Sequence, residues 1–168
     1  STPRSQPSPT SGNPIDGGGL VASDAPPFRI LPRLTDLNRP FWTGGADGKL
    51  NFQRCADCGY YNHPATPLCP MCHSKHLVHE AVSGRATLHT YTVNHQAWMP
   101  GPELPYVVAI VELPEQEGLR LTTNLVDCPL EAIAIGMPVR VCFEAHLDGE
   151  DTIFIPLFQP DPDAGAPT

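Results

Sequence analysis

The sequence predicts a mainly β protein: a short N-terminal helical segment, a small metal-clamped ribbon, then a Greek-key barrel of OB type. Three observations carry this expectation. Cys55, Cys58, Cys69 and Cys72 form a C-x2-C-x10-C-x2-C pattern. From Leu77 onward, runs rich in β-branched and aromatic residues alternate with turn residues. Only Leu130–Ile135 interrupts them with a possible helical turn, and a meander broken once and closed by two further strands suits a small OB barrel.

Residues 1–27 hold six Pro, four Gly and five Ser with almost nothing to bury, which predicts a flexible, partly polyproline linker. The start at Ser1 rather than Met is what a fragment of a longer polypeptide would show. Residues 28–48 form the entry segment, in which Asn38 can cap a helix and Pro40 is tolerated in its first turn. Phe41 and Trp42 then present aromatic surface, and Gly44-Gly45 ends the helix early. The ribbon is expected over 49–79: Lys49–Arg54 leads into the first knuckle, and Tyr60, Tyr61, Pro64 and Pro67 hold the arm extended.

The barrel is expected over 80–160, led into by Leu77–Val82. Its strands are Arg85–Val93, Tyr106–Leu113, Leu119–Leu125, Met137–Ala145 and Thr152–Phe158. Leu119, Leu121, Thr123 and Leu125 alternate inward, as do Val139, Val141 and Phe143, whereas Val107–Val111 is apolar on both faces. Residues 161–168 read as a polar tail.

Each C-x2-C turn aims two thiolates at one point, and the ten-residue arm brings the second turn to face the first. That is the ligand set of a tetrahedral structural Zn²⁺ site, with no open position for water or substrate. Two disulfides would need an oxidising compartment, and no apolar signal segment precedes the domain. Cys69–His73 also fits the C-x-x-C-H pattern of haem attachment, but that reading leaves Cys55 and Cys58 without a role. With four thiols placed, His63, His73, His76 and His79 are expected at the surface.

The formal net charge is −8. Residues 1–79 carry seven Lys/Arg against five Asp/Glu, and residues 80–160 carry three against eleven. A phosphate-binding surface needs the opposite distribution, so the charge argues against the alternative of a nucleic-acid-binding ribbon/OB module. The longest apolar runs are strand-sized, which predicts no membrane span, and unpaired Cys128 and Cys142 read as buried inert thiols of a cytoplasmic protein.

The stretches Pro40-Phe41-Trp42, Lys49–Gly59, Pro67–Cys72, Val82–Val93, Pro105–Ala109, Thr123–Val126 and Ile135–Val139 follow one another in a fixed order. In these the chain resembles, over about residues 35–160, the acyl-CoA-associated family catalogued as domain of unknown function thirty-five. The resemblance implies a rubredoxin-like zinc ribbon followed by an OB barrel. It further implies an accessory subunit of thiolase-fold acyl-CoA enzymes, including lipid-transfer-protein-type aldolases of steroid side-chain degradation. In some relatives the module follows a hotdog-fold hydratase domain, and the 1–27 linker is what such a fusion would leave. Relatives continue the helix where this chain has Gly44-Gly45.

No nucleophile–base pair emerges; Ser83, His89 and Asp127 make a triad only on paper. More informative is the loop Gln96–Pro105, the connection OB folds often use for ligands. Its Trp98, Met99 and Leu104 either fold back onto the barrel, enter a partner, or line an acyl-CoA path. Phe41 and Trp42 pose the same question, with packing on the ribbon the expected answer against partner contact, and Tyr60 completes the candidate contact set with Arg54, which flanks a knuckle where CoA phosphates would find positive charge.

Overall fold

The computed structural model describes residues 28–98 and 103–164. The 1–27 linker, Met99 and residues 165–168 lie outside them. A five-residue helix α1 (Arg39–Thr43) leads through a 3₁₀ turn (Gly44–Asp47) into β1 (Leu50–Cys55). β2 (Tyr61–Asn62) and β3 (Leu77–Val82) flank β1 antiparallel to form the ribbon sheet. Next come β4 (Arg85–Asn94), β5 (Tyr106–Glu112), β6 (Arg120–Leu125), β7 (Pro138–Asp148) and β8 (Asp151–Pro160), closed in the order β4-β5-β6-β8-β7.

That order is the OB topology, and its closure depends on one bent strand. Between Leu88 and Thr90 the β4–β5 register shifts, which leaves His89 as an extra residue. Such a bulge sharpens the strand's twist. It lets β4 pair with β7 through Arg85–Thr87 and with β5 along the rest of its length. Leu88, Val111, Leu113, Val139 and Phe158 fill the interior at 1% exposure or less. The 3₁₀ turn Leu130–Ala132 lies in the connection from β6 to β7, and Ile133 behind it is buried.

Closure is weakest between β6 and β8, which share a single parallel pairing, Leu125 with Phe158. Below it the Thr123 hydroxyl donates to the Pro156 carbonyl at 2.8 Å. A cavity of about 380 Å³ remains at this seam, floored by Leu121, Thr123 and Leu157 and roofed by Phe41, Trp42 and His63.

Several local expectations change. The α-helix does end at Gly44-Gly45, with Thr43 its last residue and Gly44 its C-cap, but the chain continues through both glycines as a 3₁₀ turn. A Cβ at Gly45 would lie 2.4 Å from Phe154 Cβ, so this glycine serves close packing of the entry segment on β8. Asn38 occupies the N-cap position without capping: its side chain accepts from the Thr35 amide and donates to the Arg33 carbonyl. Val141 and Phe143, expected to face inward, are only half-buried, Val141 lying against Gly84 and Phe143 against Gly45. Asp161, placed by sequence in a polar tail, is buried at 7% exposure beside Arg85 and Arg140.

Candidate metal centre

β1 and β3 pair over six residues, and the register ends with Cys55 opposite Leu77. Beyond that point the chain makes the same turn twice. In the first knuckle the Gly59 amide donates to the Cys55 carbonyl at 2.8 Å and the Cys55 amide to the Tyr60 carbonyl at 2.9 Å. In the second, His73 donates to Cys69 at 3.0 Å and Cys69 to Ser74 at 2.9 Å. Both need a left-handed residue after the second cysteine, supplied by Gly59 at φ +78° and His73 at φ +60°. Sequence reasoning reaches Gly59 easily; His73 bears a conformation that costs a side-chain-bearing residue about 1–2 kcal/mol.

The two turns converge. Sγ of Cys55 lies 3.6 Å from that of Cys72, and Sγ of Cys58 lies 3.5 Å from that of Cys69. All four sulfurs fall within 4.8 Å of one another. A tetrahedron with metal–sulfur bonds of about 2.3 Å has edges of about 3.8 Å, so the set fits an ion of zinc's size and preference. Both close contacts join different knuckles, so an ion here would bind one turn to the other. Amides of Cys58 and Asp57 aimed at Cys55 lower its thiol to about 6. The Ser74 amide favours the Cys72 thiolate, yet the surrounding thiols and burial push Cys72 up to about 12. Four thiolates at this spacing repel, and a dication removes that conflict. Outside the sulfurs, Asp57 accepts from the Ser74 hydroxyl and bonds His76 Nδ1 at 3.2 Å, linking the knuckles a second time.

The remaining candidates separate. Arg54 is braced within the ribbon: Nη1 meets the Glu80 carboxylate at 3.1 Å, Nε donates to the Gly59 carbonyl, and the guanidinium covers the Tyr61 ring. Tyr60 is half-buried. Phe41 packs on the ribbon, the first of the two outcomes open to it: it is 6% exposed and lies edge-on to Phe52 at 5.8 Å and to Trp42 at 4.8 Å. Trp42 is half-buried, while Trp98 and Leu104 stand exposed at 73% and 40%. His89 faces Glu112 at 3.6 Å, whereas Ser83 and Asp127 sit at opposite ends of the barrel, so that paper triad is not assembled.

Histidine placement also departs from expectation. His73 and His76 are exposed, but His63 stacks 4.6 Å from Phe41 and 4.9 Å from Phe52, where burial drives its pKa down to about 4. His79 is half-buried, its Nε2 without a partner. A residue inside an aromatic cluster has no local signature, because the arm that carries it reads as loop. Equally unsignalled is the joint between ribbon and barrel: Gln116 in the β5–β6 turn accepts from the Tyr61 amide at 2.8 Å and donates to its carbonyl at 3.1 Å.

With ribbon and barrel in place, comparison with known proteins is informative. Residues 42–78 match the family described as ChsH2, rubredoxin-like zinc ribbon domain, and residues 79–144 match ChsH2, C-terminal OB-fold domain. A DUF35 domain-containing scaffold protein of Methanocaldococcus jannaschii is 39% identical over 103 residues, 60% of this chain and 72% of that protein. The chain belongs to the DUF35 family. Among solved structures, this DUF35 chain resembles one in an Ltp2-ChsH2(DUF35) aldolase, with TM-score 0.65 and 39% identity over 77% of this chain and 98% of that one. A DUF35 protein of unknown function from Sulfolobus solfataricus shares the fold, with TM-score 0.53 and 17% identity over 75% of this chain and 86% of that one. Longer relatives match as well. The 3-oxo-4,17-pregnadiene-20-carboxyl-CoA hydratase alpha subunit of Mycobacterium tuberculosis is 37% identical over 131 residues, 77% of this chain. A probable enoyl-CoA hydratase alpha subunit of Thermomonospora curvata is 38% identical over 136 residues, 80% of this chain. The DUF35 chain spans 41% of each of those two proteins. No helix among its described residues is long and apolar enough to cross a membrane.

Proposed function

We infer that this chain is a non-catalytic accessory subunit, held together by structural zinc, that assembles and stabilises a thiolase-superfamily acyl-CoA enzyme. An aldolase or thiolase of steroid or lipid degradation is the reading the relatives favour. The observation that carries it is the likeness to nearly the whole of one chain in an Ltp2-ChsH2(DUF35) aldolase. A hydratase alpha subunit named for a steroid acyl-CoA supports the same substrate class and an upstream hydratase domain.

Zinc bound by Cys55, Cys58, Cys69 and Cys72 would have all four positions filled by protein and would serve as a staple instead of a Lewis acid. The chain's own residues then have a structural task. Knuckle amides hold the thiolates, Arg54 and Glu80 brace the strands beneath, and Gln116 fixes the ribbon to the barrel. Nucleic-acid binding loses support from the barrel's cations: Arg85 faces Asp161, Arg120 pairs with Glu112, and Arg140 pairs with Asp163. None of the three is free to release counterions from phosphates.

The test is co-expression of the untagged chain with its genomic thiolase-like neighbour. Co-elution should be followed by acyl-CoA cleavage assays on each protein alone and on both together. Stable co-elution, with activity dependent on the pair, is expected. Activity from this chain alone, or a neighbour equally soluble and active without it, would overturn the reading.

A further inference from the structure

Ribbon and entry segment occupy one end of the barrel, through Gly45 on Phe154, Tyr61 on Gln116, and the Ser83 amide on Glu115. The β4–β5 and β6–β7 connections emerge at the other end. Val93, Val107 and Leu125 form one row across β4, β5 and β6, so the bases of the two connections lie within about 10 Å. Four apolar side chains project there: Trp98 at 73% and Leu104 at 40% exposure on the first, Leu130 at 39% and Ile135 at 68% on the second. A lone exposed apolar residue is ordinary; four on two connections that leave the same barrel end are of the kind that marks interaction sites. None of the four belongs to the buried core, to which the second connection contributes Ile133 instead.

The same connections carry Glu103, Asp127 and Glu131, all exposed and none in an ion pair among the described residues. Neither connection contains a Lys or Arg. The Trp98 indole is held by a hydrogen bond from Nε1 to Asn94 Oδ1 at 3.2 Å, so little side-chain freedom is lost when it is covered.

We propose that this barrel end is the surface that docks the acyl-CoA enzyme, and that the enzyme presents an apolar pocket rimmed by Lys and Arg. The proposal rests on the accessory-subunit reading above. A second copy of this chain fits poorly, because it would set two acidic patches of a chain with net charge −8 against each other.

The experiment titrates the co-purified enzyme subunit with full-length wild-type and variant chains, each first checked for an unchanged melting temperature. Trp98→Ala and Ile135→Asp should each weaken binding about thirty-fold or more, as loss of an interface anchor does. Glu103→Lys with Glu131→Lys should slow association and flatten its salt dependence. Leu147→Asp, at an 84%-exposed position near the β7–β8 turn of the opposite end, should bind as wild type. Tight binding by both apolar variants would overturn the docking assignment and leave the subunit reading standing; a wild-type chain that fails to bind would overturn both. A free chain that dimerises in sedimentation, and loses the dimer on Trp98→Ala, would overturn the choice of partner.

Discussion

His63 should make this protein acid-labile well above the range where its carboxylates titrate. The imidazole is enclosed by Phe41 and Phe52, and desolvation lowers its pKa from 6.5 to about 4. A depressed histidine pKa means that the fold prefers the neutral ring. Above pH 6.5 neither folded nor unfolded chain holds the proton, and the site costs nothing. Between pH 6.5 and 4 the unfolded chain takes up a proton that the folded chain refuses, so stability falls with pH. The two pKa values give a loss of about 1.4 kcal/mol at pH 5.5 and about 2.6 kcal/mol at pH 4.5. Urea unfolding of wild type and His63→Phe at pH 7.5, 5.5 and 4.5 isolates this contribution, because carboxylates and zinc thiolates titrate alike in both. The variant should be less pH-dependent by those amounts. Parallel pH profiles for the two proteins would refute the reasoning.

Three further outcomes follow from the geometry. Removing zinc with a chelator, or Cys55→Ser, should unfold the ribbon while barrel circular dichroism persists, because structural zinc in such modules contributes roughly 10–16 kcal/mol of apparent binding energy; elemental analysis should find one zinc per chain before treatment. Gly45→Ala would set a methyl 2.4 Å from Phe154 Cβ and 2.8 Å from Phe143 Cδ1, so it should destabilise by about 1–3 kcal/mol in thermal melts. The knuckles should respond oppositely to exchange. Gly59→Ala forces a side chain into φ +78° and should cost about 1 kcal/mol, whereas His73→Gly relieves φ +60° and should be neutral or stabilising by up to about 1 kcal/mol.

Much of the architecture was legible because its determinants are local. β1 through β8 fall within a few residues of where alternation and turn residues place them, apart from the two-residue β2, which the expected extended arm foreshadows. The inward set Leu119, Leu121, Thr123 and Leu125 is buried as its period of two requires. The contact between Phe41 and His63 was not legible. Each is ambiguous until the other is beside it, and 22 positions of chain separate them. Gly45 was legible only in part for a related reason: the glycine pair signals the helix end that is observed, but its close approach to Phe154 has no local sign.

The sequence by itself determined the cysteine spacing, hence a four-sulfur ligand set, and the strand periodicity that yields an OB barrel. Both are written in separations of a few residues, over which the backbone's geometry leaves few choices. Tertiary structure alone decided that an aromatic cluster roofs the weak β6–β8 seam, that Gln116 joins ribbon to barrel, and that the apolar and acidic side chains of two distant loops share one end. Those pairings depend on barrel closure, which sets residues far apart in the chain side by side at distances that no local pattern encodes.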